Sequence, residues 1–266
     1  MGVIIGNVIA IYRRELQSYF ASPFAYLIAG IFWLLGGFFF TAILLGPDGL
    51  IAQVAVRDQL GITQPPIDVA YQFLSIFLGV IGSLSLFVLP ILSMGLYAEE
   101  RKRGTLELLA TSPVTNWAVA LGKLLGVVTF FITLILPIMV YEAIALSASD
   151  PPVSPTVMLL GHLGLILLAA AILSLGMFVS SLTDKTILAA FLTFGLILLL
   201  WIIDPIAQSI GGSFGDALGH LSLLRHYTNL IQGILDSGSI IVFVSYIVLG
   251  LFLTAQSIEA LRFQQS

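Results

Sequence analysis

Six long apolar runs constrain this chain more than any other feature: roughly Phe24–Leu45, Val69–Leu96, Trp117–Leu146, Thr156–Leu182, Thr186–Ile203 and Ser239–Leu261. A helix needs about 20 apolar residues to cross a hydrocarbon layer about 30 Å thick. The runs are too long for barrel strands. Backbone exposed to lipid must satisfy its own hydrogen bonds, so each run is read as a membrane-spanning helix. Only 9% of the 266 residues are charged, where a soluble domain carries about 25%. The sequence therefore predicts an all-α integral membrane protein with six transmembrane helices. The absence of cysteine excludes a disulfide framework, thiol redox chemistry and cysteine-based metal sites. No cleavable leader is expected, because the run after Arg13-Arg14-Glu15 is too long and no small-residue cleavage site follows it.

Lys and Arg set the orientation. With both termini inside, the inner segments hold Arg13, Arg14, Arg101, Lys102, Arg103, Lys123, Lys185 and Arg262, and the outer loops hold only Arg57 and Arg225. This is a positive-inside distribution, and an odd number of spans would destroy it.

Residues 3–20 form a different kind of segment. Ile5, Val8, Ile9, Tyr12, Leu16, Tyr19 and Phe20 recur at helical spacing, while Asn7, Arg13, Arg14, Gln17 and Ser18 fall largely elsewhere around the helix. That pattern predicts an amphipathic helix along the inner interface. Ser22 is expected to cap the first span, with Pro23 at its first position. Among the outer loops, Gly46–Asp68 is expected to stop at Gln64-Pro65-Pro66, Ser147–Pro155 to be a tight turn, and Pro205–Gly238 to be the longest. Within the last, Leu224, Tyr227, Leu230, Ile231 and Ile234 are spaced for a re-entrant or interfacial helix over Leu221–Leu235.

Ionisable residues inside spans are costly and commonly functional, and this chain has few. Glu142, Asp204 and Lys123 fall near span ends and are read as interfacial anchors or snorkelling groups, with Glu142 alternatively lining an outer vestibule. Gly122-Lys123 is not a phosphate-binding loop, because Leu124 follows it and Trp117 stands where the first glycine belongs. His162, His220 and His226 form no metal-ligating pattern. Arg225, His226 and Tyr227 are read as an outer-interface anchor or a small polar recognition patch. Pro90 and Pro137 are expected to kink or interrupt spans two and three. Glycines in spans one and two are expected to pack within the chain or across a dimer interface.

Between spans two and three lies a dense block of charge. Glu99, Glu100, Arg101, Lys102, Arg103 and Glu107 occupy six of nine positions. Gly104 supports a turn, and Thr105–Ala110 reads as a short helix with Leu106, Leu109 and Ala110 on one side. Ser112-Pro113 stops it, and Ser112 or Thr115 caps span three. Three basic residues would suffice to enforce topology. Interleaved glutamates and a structured turn with an apolar face point instead to docking of a partner.

The pattern E-E-R-K-x-G-T-L-E-L-L-x-T-S-P-V, followed by Trp and L-G-K, resembles the signature of ABC-transporter permeases of the type-2 exporter class. Within that class it is similar to the branch of gliding-motility permeases and the permease of nitrous oxide reductase maturation. The Tyr12-to-Tyr26 segment and the His226-to-Arg262 segment are similar to the ends of that branch. The resemblance implies one permease domain over residues 1–266, with an interfacial elbow helix over 3–20, a coupling loop over 98–116 and re-entrant helices over 205–238. It implies that Glu99, Glu100, Arg101, Arg103, Gly104, Thr105 and Glu107, with Leu106 and Leu109, couple to an ABC ATPase subunit, and that Tyr12, Arg13, Arg14 and Glu15 form the elbow beside it. It implies no cofactor in this chain, with ATP and Mg bound by the partner. The implied assembly is a homodimer, or a pair with a related permease, in a prokaryotic plasma membrane. A periplasmic or membrane accessory protein would join it, with lipid around it and no nucleic acid. The alternative is a membrane scaffold that anchors a complex without transport. An intramembrane enzyme lacks a catalytic constellation.

Overall fold

A computed structural model of the chain describes residues 2–62, 68–105, 114–149 and 153–263. Among these the ordered elements are helices, with no strand. They are α1 (Gly2–Ala21), α2 (Pro23–Leu45), α3 (Leu50–Gln59), α4 (Val69–Ser93), α5 (Gly95–Lys102), α6 (Asn116–Ser147), α7 (Pro155–Ser181), α8 (Thr186–Ile210), α9 (Gly212–Gly219), α10 (Leu223–Ile231) and α11 (Ser237–Phe263). Six stretches are long and apolar enough to cross a membrane, and they match the six runs in the sequence. The Gln64-Pro65-Pro66 stop lies outside the described residues, as does the centre of the Ser147–Pro155 turn.

The bundle is organised around α7. In its most apolar window 72% of residues are buried, against 22% for the first span and 17% for α8. Small residues explain this, because they let helix backbones approach closely without a hydrophobic drive between spans. A Cβ on Gly176 would lie 2.3 Å from Ser93 Oγ, and one on Gly250 of α11 would lie 2.5 Å from Ser174 Oγ. At the other end of α7, Gly161 admits Leu78 of α4, and Gly164 admits Leu230 of α10. By contrast α2 and α8 leave most of their large apolar side chains, such as Leu34, Phe38, Phe191 and Leu199, exposed on the outside of the chain.

Several boundaries differ from expectation. The second span is not continuous: α4 ends at Ser93, Met94 is a turn residue, and α5 begins at Gly95. Pro90 lies inside α4, where its missing N–H frees Leu86 O, and Met94 N still donates to Pro90 O (3.0 Å), so the interruption falls at Met94 rather than at the proline. Ser180 of α7 repairs the break. Its hydroxyl oxygen accepts from Tyr97 N (3.1 Å) and Ala98 N (3.0 Å), and its hydrogen is donated to Met94 O (2.7 Å). Freed backbone groups at membrane depth are tolerated only when a neighbour satisfies them in this way. Pro137 likewise sits inside a helix, α6.

Pro205 does not end the fifth span, which runs on to Ile210. The proline removes a single rung of the ladder, and an Asp204–Gln208 side-chain bond (2.8 Å) spans that position. The chain then turns into α9 at Gly211 and Gly212, both at positive φ (62° and 66°), a conformation that favours glycine. The loop after span one holds the helix α3, which apolar periodicity did not reveal. Ser22 occupies the cap position of α2, but its side chain makes no capping bond. Thr115 caps α6 by accepting from Ala118 N (3.4 Å).

Candidate functional site

The charged block leaves the bundle through α5. Consecutive helical residues point about 100° apart, so its side chains diverge. Glu99 turns outward and pairs with Arg103 (3.4 Å), both exposed. Arg101 reaches sideways and donates to Ser181 O at the end of α7 (2.8 Å). Glu100 turns inward. After α5, Gly104 takes φ +68°, and Thr105 Oγ1 donates to Glu100 O (3.2 Å). Leu106, Glu107 and Leu109, with most of the expected short helix, lie outside the described residues.

The inward turn of Glu100 meets Lys123 of α6. The Lys123 ammonium lies 3.0 Å from Glu100 Oε1 and 3.2 Å from Glu15 Oε2 of α1. It also sits 5.1 Å from the centre of the Tyr97 ring. Lys123 is 4% exposed. It is therefore not a snorkelling anchor, as its position near a span end suggested, but the buried centre of a three-helix ion cluster. Burying an ammonium costs several kcal/mol unless carboxylates and hydrogen bonds compensate it. Here two carboxylates do so, leaving the cluster with one net negative charge. Glu100 Oε2 and the Tyr97 hydroxyl are buried with no hydrogen-bond partner among the described residues.

Glu15 reaches this point because α1 is docked along α6 rather than lying free. Gly122 and Gly126 form the seat: a Cβ on the first would be 2.8 Å from Ile11 Cβ, and on the second 2.8 Å from Glu15 Cβ. Tyr19 stacks on Phe130 (4.9 Å between ring centres) and donates to Leu92 O (2.7 Å). Tyr12 is half-buried, whereas Arg13 and Arg14 are exposed. Of the apolar residues on α1, Val8, Leu16 and Tyr19 are half-buried while Ile5 and Ile9 stay exposed. One ammonium on α6 thus bridges a carboxylate of α1 and a carboxylate of α5.

A family model described as ABC-2 family transporter protein matches residues 9–266. The chain belongs to the ABC-2 transporter family. It is a multi-pass membrane protein and a permease component of an ABC transporter, a family that implies an ABC ATPase partner. No curated protein matches it.

In this ABC-2 permease the ion cluster lies at one end of the bundle and the three remaining candidates lie at the other. Arg225 is exposed, whereas His226 and Tyr227 turn inward and are buried. Tyr227, on α10, donates to Leu78 O (2.5 Å) across the space left by Gly82. Burial pushes its phenol above the usual tyrosine value, so it remains a donor. His226 Nε2 donates to His220 O (3.0 Å), and its Nδ1 accepts from Ser239 (2.8 Å). Arg225 and Tyr227 both line an open cavity of about 740 Å³, with Trp201, Asp204, Gln208, Asp216 and Asn229. Leu224 is half-buried and Ile234 exposed, because α10 stops at Ile231.

Sequence reasoning missed Lys123 as a site residue. Its signal was present: the lysine lies two turns inside an apolar run, flanked by glycines at the spacing of one helix face. It also misread Glu142. That carboxylate is fully buried and faces His162 at 3.2 Å, so it is neither an interfacial anchor nor a vestibule lining.

Proposed function

We propose that this permease is the membrane subunit of an exporter and that the charged end receives the movement of a separate ABC ATPase. The observation that supports this reading most directly is the Glu15–Lys123–Glu100 cluster. A docking segment that moved alone would transmit nothing. One whose first turn is bound through Glu100 to α6 and α1 moves the third span when it is pushed. ATP and Mg would be held by the partner, and no bond-making step falls to this chain. The charged end would face the cytoplasm of a prokaryotic cell. The poorly buried faces of α2 and α8 suit a second copy of the chain, with the export path between the two. The likeness to the gliding-motility and nitrous-oxide-reductase-maturation branch stands on the motif at residues 99–123 together with the Tyr12-to-Tyr26 and His226-to-Arg262 segments.

The test is ATPase stimulation in a purified complex with the partner, reconstituted in lipid. Glu100→Lys and Glu107→Lys should keep co-purification while lowering stimulation by about 5- to 150-fold, the span of a typical coupling free energy of 1–3 kcal/mol. Unchanged stimulation in both variants would sink the coupling reading. A non-transporting scaffold would give an ATPase rate indifferent to the permease altogether.

A further inference from the structure

Glu142 of α6 and His162 of α7 form a second buried polar contact, in the half of the bundle away from the charged end. Glu142 is 0% exposed and His162 3%. The histidine ring touches polar atoms at both nitrogens. Nδ1 lies 2.9 Å from Met158 O, one turn earlier on α7. Nε2 lies 3.2 Å from Glu142 Oε2, a close approach that is not aligned as a hydrogen bond, so that Nε2 and both carboxylate oxygens are buried without a hydrogen-bond partner among the described residues.

A carbonyl oxygen only accepts, so Nδ1 carries a hydrogen. A neutral ring with its hydrogen on Nδ1 presents only a lone pair at Nε2. An ionised carboxylate also presents only lone pairs. Two such acceptors at 3.2 Å, sealed from water, repel each other. The other neutral tautomer moves the same conflict to the Met158 carbonyl. Two attractive contacts need two hydrogens, whereas a neutral histidine and an ionised glutamate own one between them.

Among the described residues the packed helices offer little to balance a charge: on α10, Arg225 is exposed and His226 is committed to Ser239 and His220 O. Neither α2, α4 nor α7 contains an Asp, Glu, Lys or Arg. The other charged residue of α6 is Lys123, 19 positions earlier, which is about 28 Å along the helix axis. The titratable neighbours that sense Glu142 are Tyr141 on α6 and Tyr227 on α10. The Tyr227 hydrogen is already committed to Leu78 O. An unpaired carboxylate in this setting would carry the full cost of a buried charge.

We propose that Glu142 and His162 constitute a proton-binding site that holds one proton between them and thereby joins α6 to α7. On Oε2 the proton makes a carboxylic acid that donates to the imidazole. On Nε2 it makes an imidazolium that faces a carboxylate. Both forms are net neutral, and both replace the acceptor–acceptor repulsion across the 3.2 Å approach by an attraction. The ligand class is the proton itself. Water admitted to the α6–α7 seam would exchange that proton, which gives the far end a titratable element independent of the coupling reading.

The experiment uses the full chain in lipid nanodiscs at neutral pH, with ¹⁵N-labelled histidine and infrared difference spectra. Glu142→Gln keeps a donor toward Nε2, because the amide N–H replaces the acid hydrogen, and is expected to fold. His162→Phe assigns the histidine signal. Either of two results supports the site: a carboxylic acid stretch in the wild type that Glu142→Gln abolishes, or a His162 ring protonated on both nitrogens beside a carboxylate. A neutral His162 with no carboxylic acid band assigned to Glu142 overturns it. If Glu142→Gln misfolds, the nitrogen shifts of His162 in the wild type, with the presence or absence of a protonated-carboxyl band in its own spectrum, decide between the same outcomes.

Discussion

The two ends of the bundle bury ionisable groups in different ways. At the charged end, Lys123 is enclosed, but its two carboxylate partners keep 16% and 15% of their side-chain surface in contact with the outside. At the far end, Glu142 and His162 keep 0% and 4%. The first cluster carries a net charge and sits at the edge of an exposed, highly charged segment. The second is sealed between two spans. A network that has to respond to a partner needs an edge that water and the partner can reach. A network that fixes two helices relative to each other is strongest when nothing can reach it.

The largest expected effect tests whether the charged end is truly buried. Lys123→Met should cost about 3–5 kcal/mol of unfolding free energy, because it strands two carboxylates beside apolar helices. Denaturant unfolding in nanodiscs measures it, and adding Glu15→Gln and Glu100→Gln should recover most of the loss. A cost below about 1 kcal/mol would place the cluster with ordinary surface ion pairs and erase the contrast between the ends. Next comes Ser180→Ala, which leaves the N–H groups of Tyr97 and Ala98 without their acceptor. It should cost about 1–3 kcal/mol, and hydrogen exchange should rise at those two amides first. At the far end, Tyr227→Phe removes a neutral donor to a carbonyl and should cost about 1 kcal/mol, with no change in ATPase stimulation. The smallest effect is expected from Arg103→Ala. Its exposed pair with Glu99 should contribute less than about 0.5 kcal/mol to stability. Under the proposed function it should still lower ATPase stimulation, which would separate the end that signals from the end that holds.

Much of the architecture was legible in the residues. A long apolar run is a local signal, so all six spans could be read, as could a helix within Leu221–Leu235, and of the two caps offered, Ser112 or Thr115, Thr115 accepts from Ala118 N. The misreadings share a cause. Lys123 and Glu142 looked like anchors because each lies near the end of a run, and a run says nothing about what stands beside it. Lys123 is buried because α1 brings Glu15 to it, and Glu142 is buried because α7 brings His162. An interruption was expected at Pro90, but the helix breaks after it, at Met94, and the hydroxyl that repairs the break belongs to Ser180, more than eighty positions away. Pro205 looked like a stop because proline is one on average. Here the helix loses one rung and runs on to Ile210.

The ion cluster also bears on how the protein is made. Glu15 and Lys123 stand 108 positions apart, so α1 leaves the ribosome long before its seat on α6 exists. Until the third span has been inserted, the Glu15 carboxylate has no lysine to meet and the glycine seat has nothing to hold. Docking of the N-terminal helix is therefore a late step of biogenesis. A chain stalled after its second span would carry an N-terminal helix without its anchor, the form that a membrane quality-control protease would be able to tell from the finished protein.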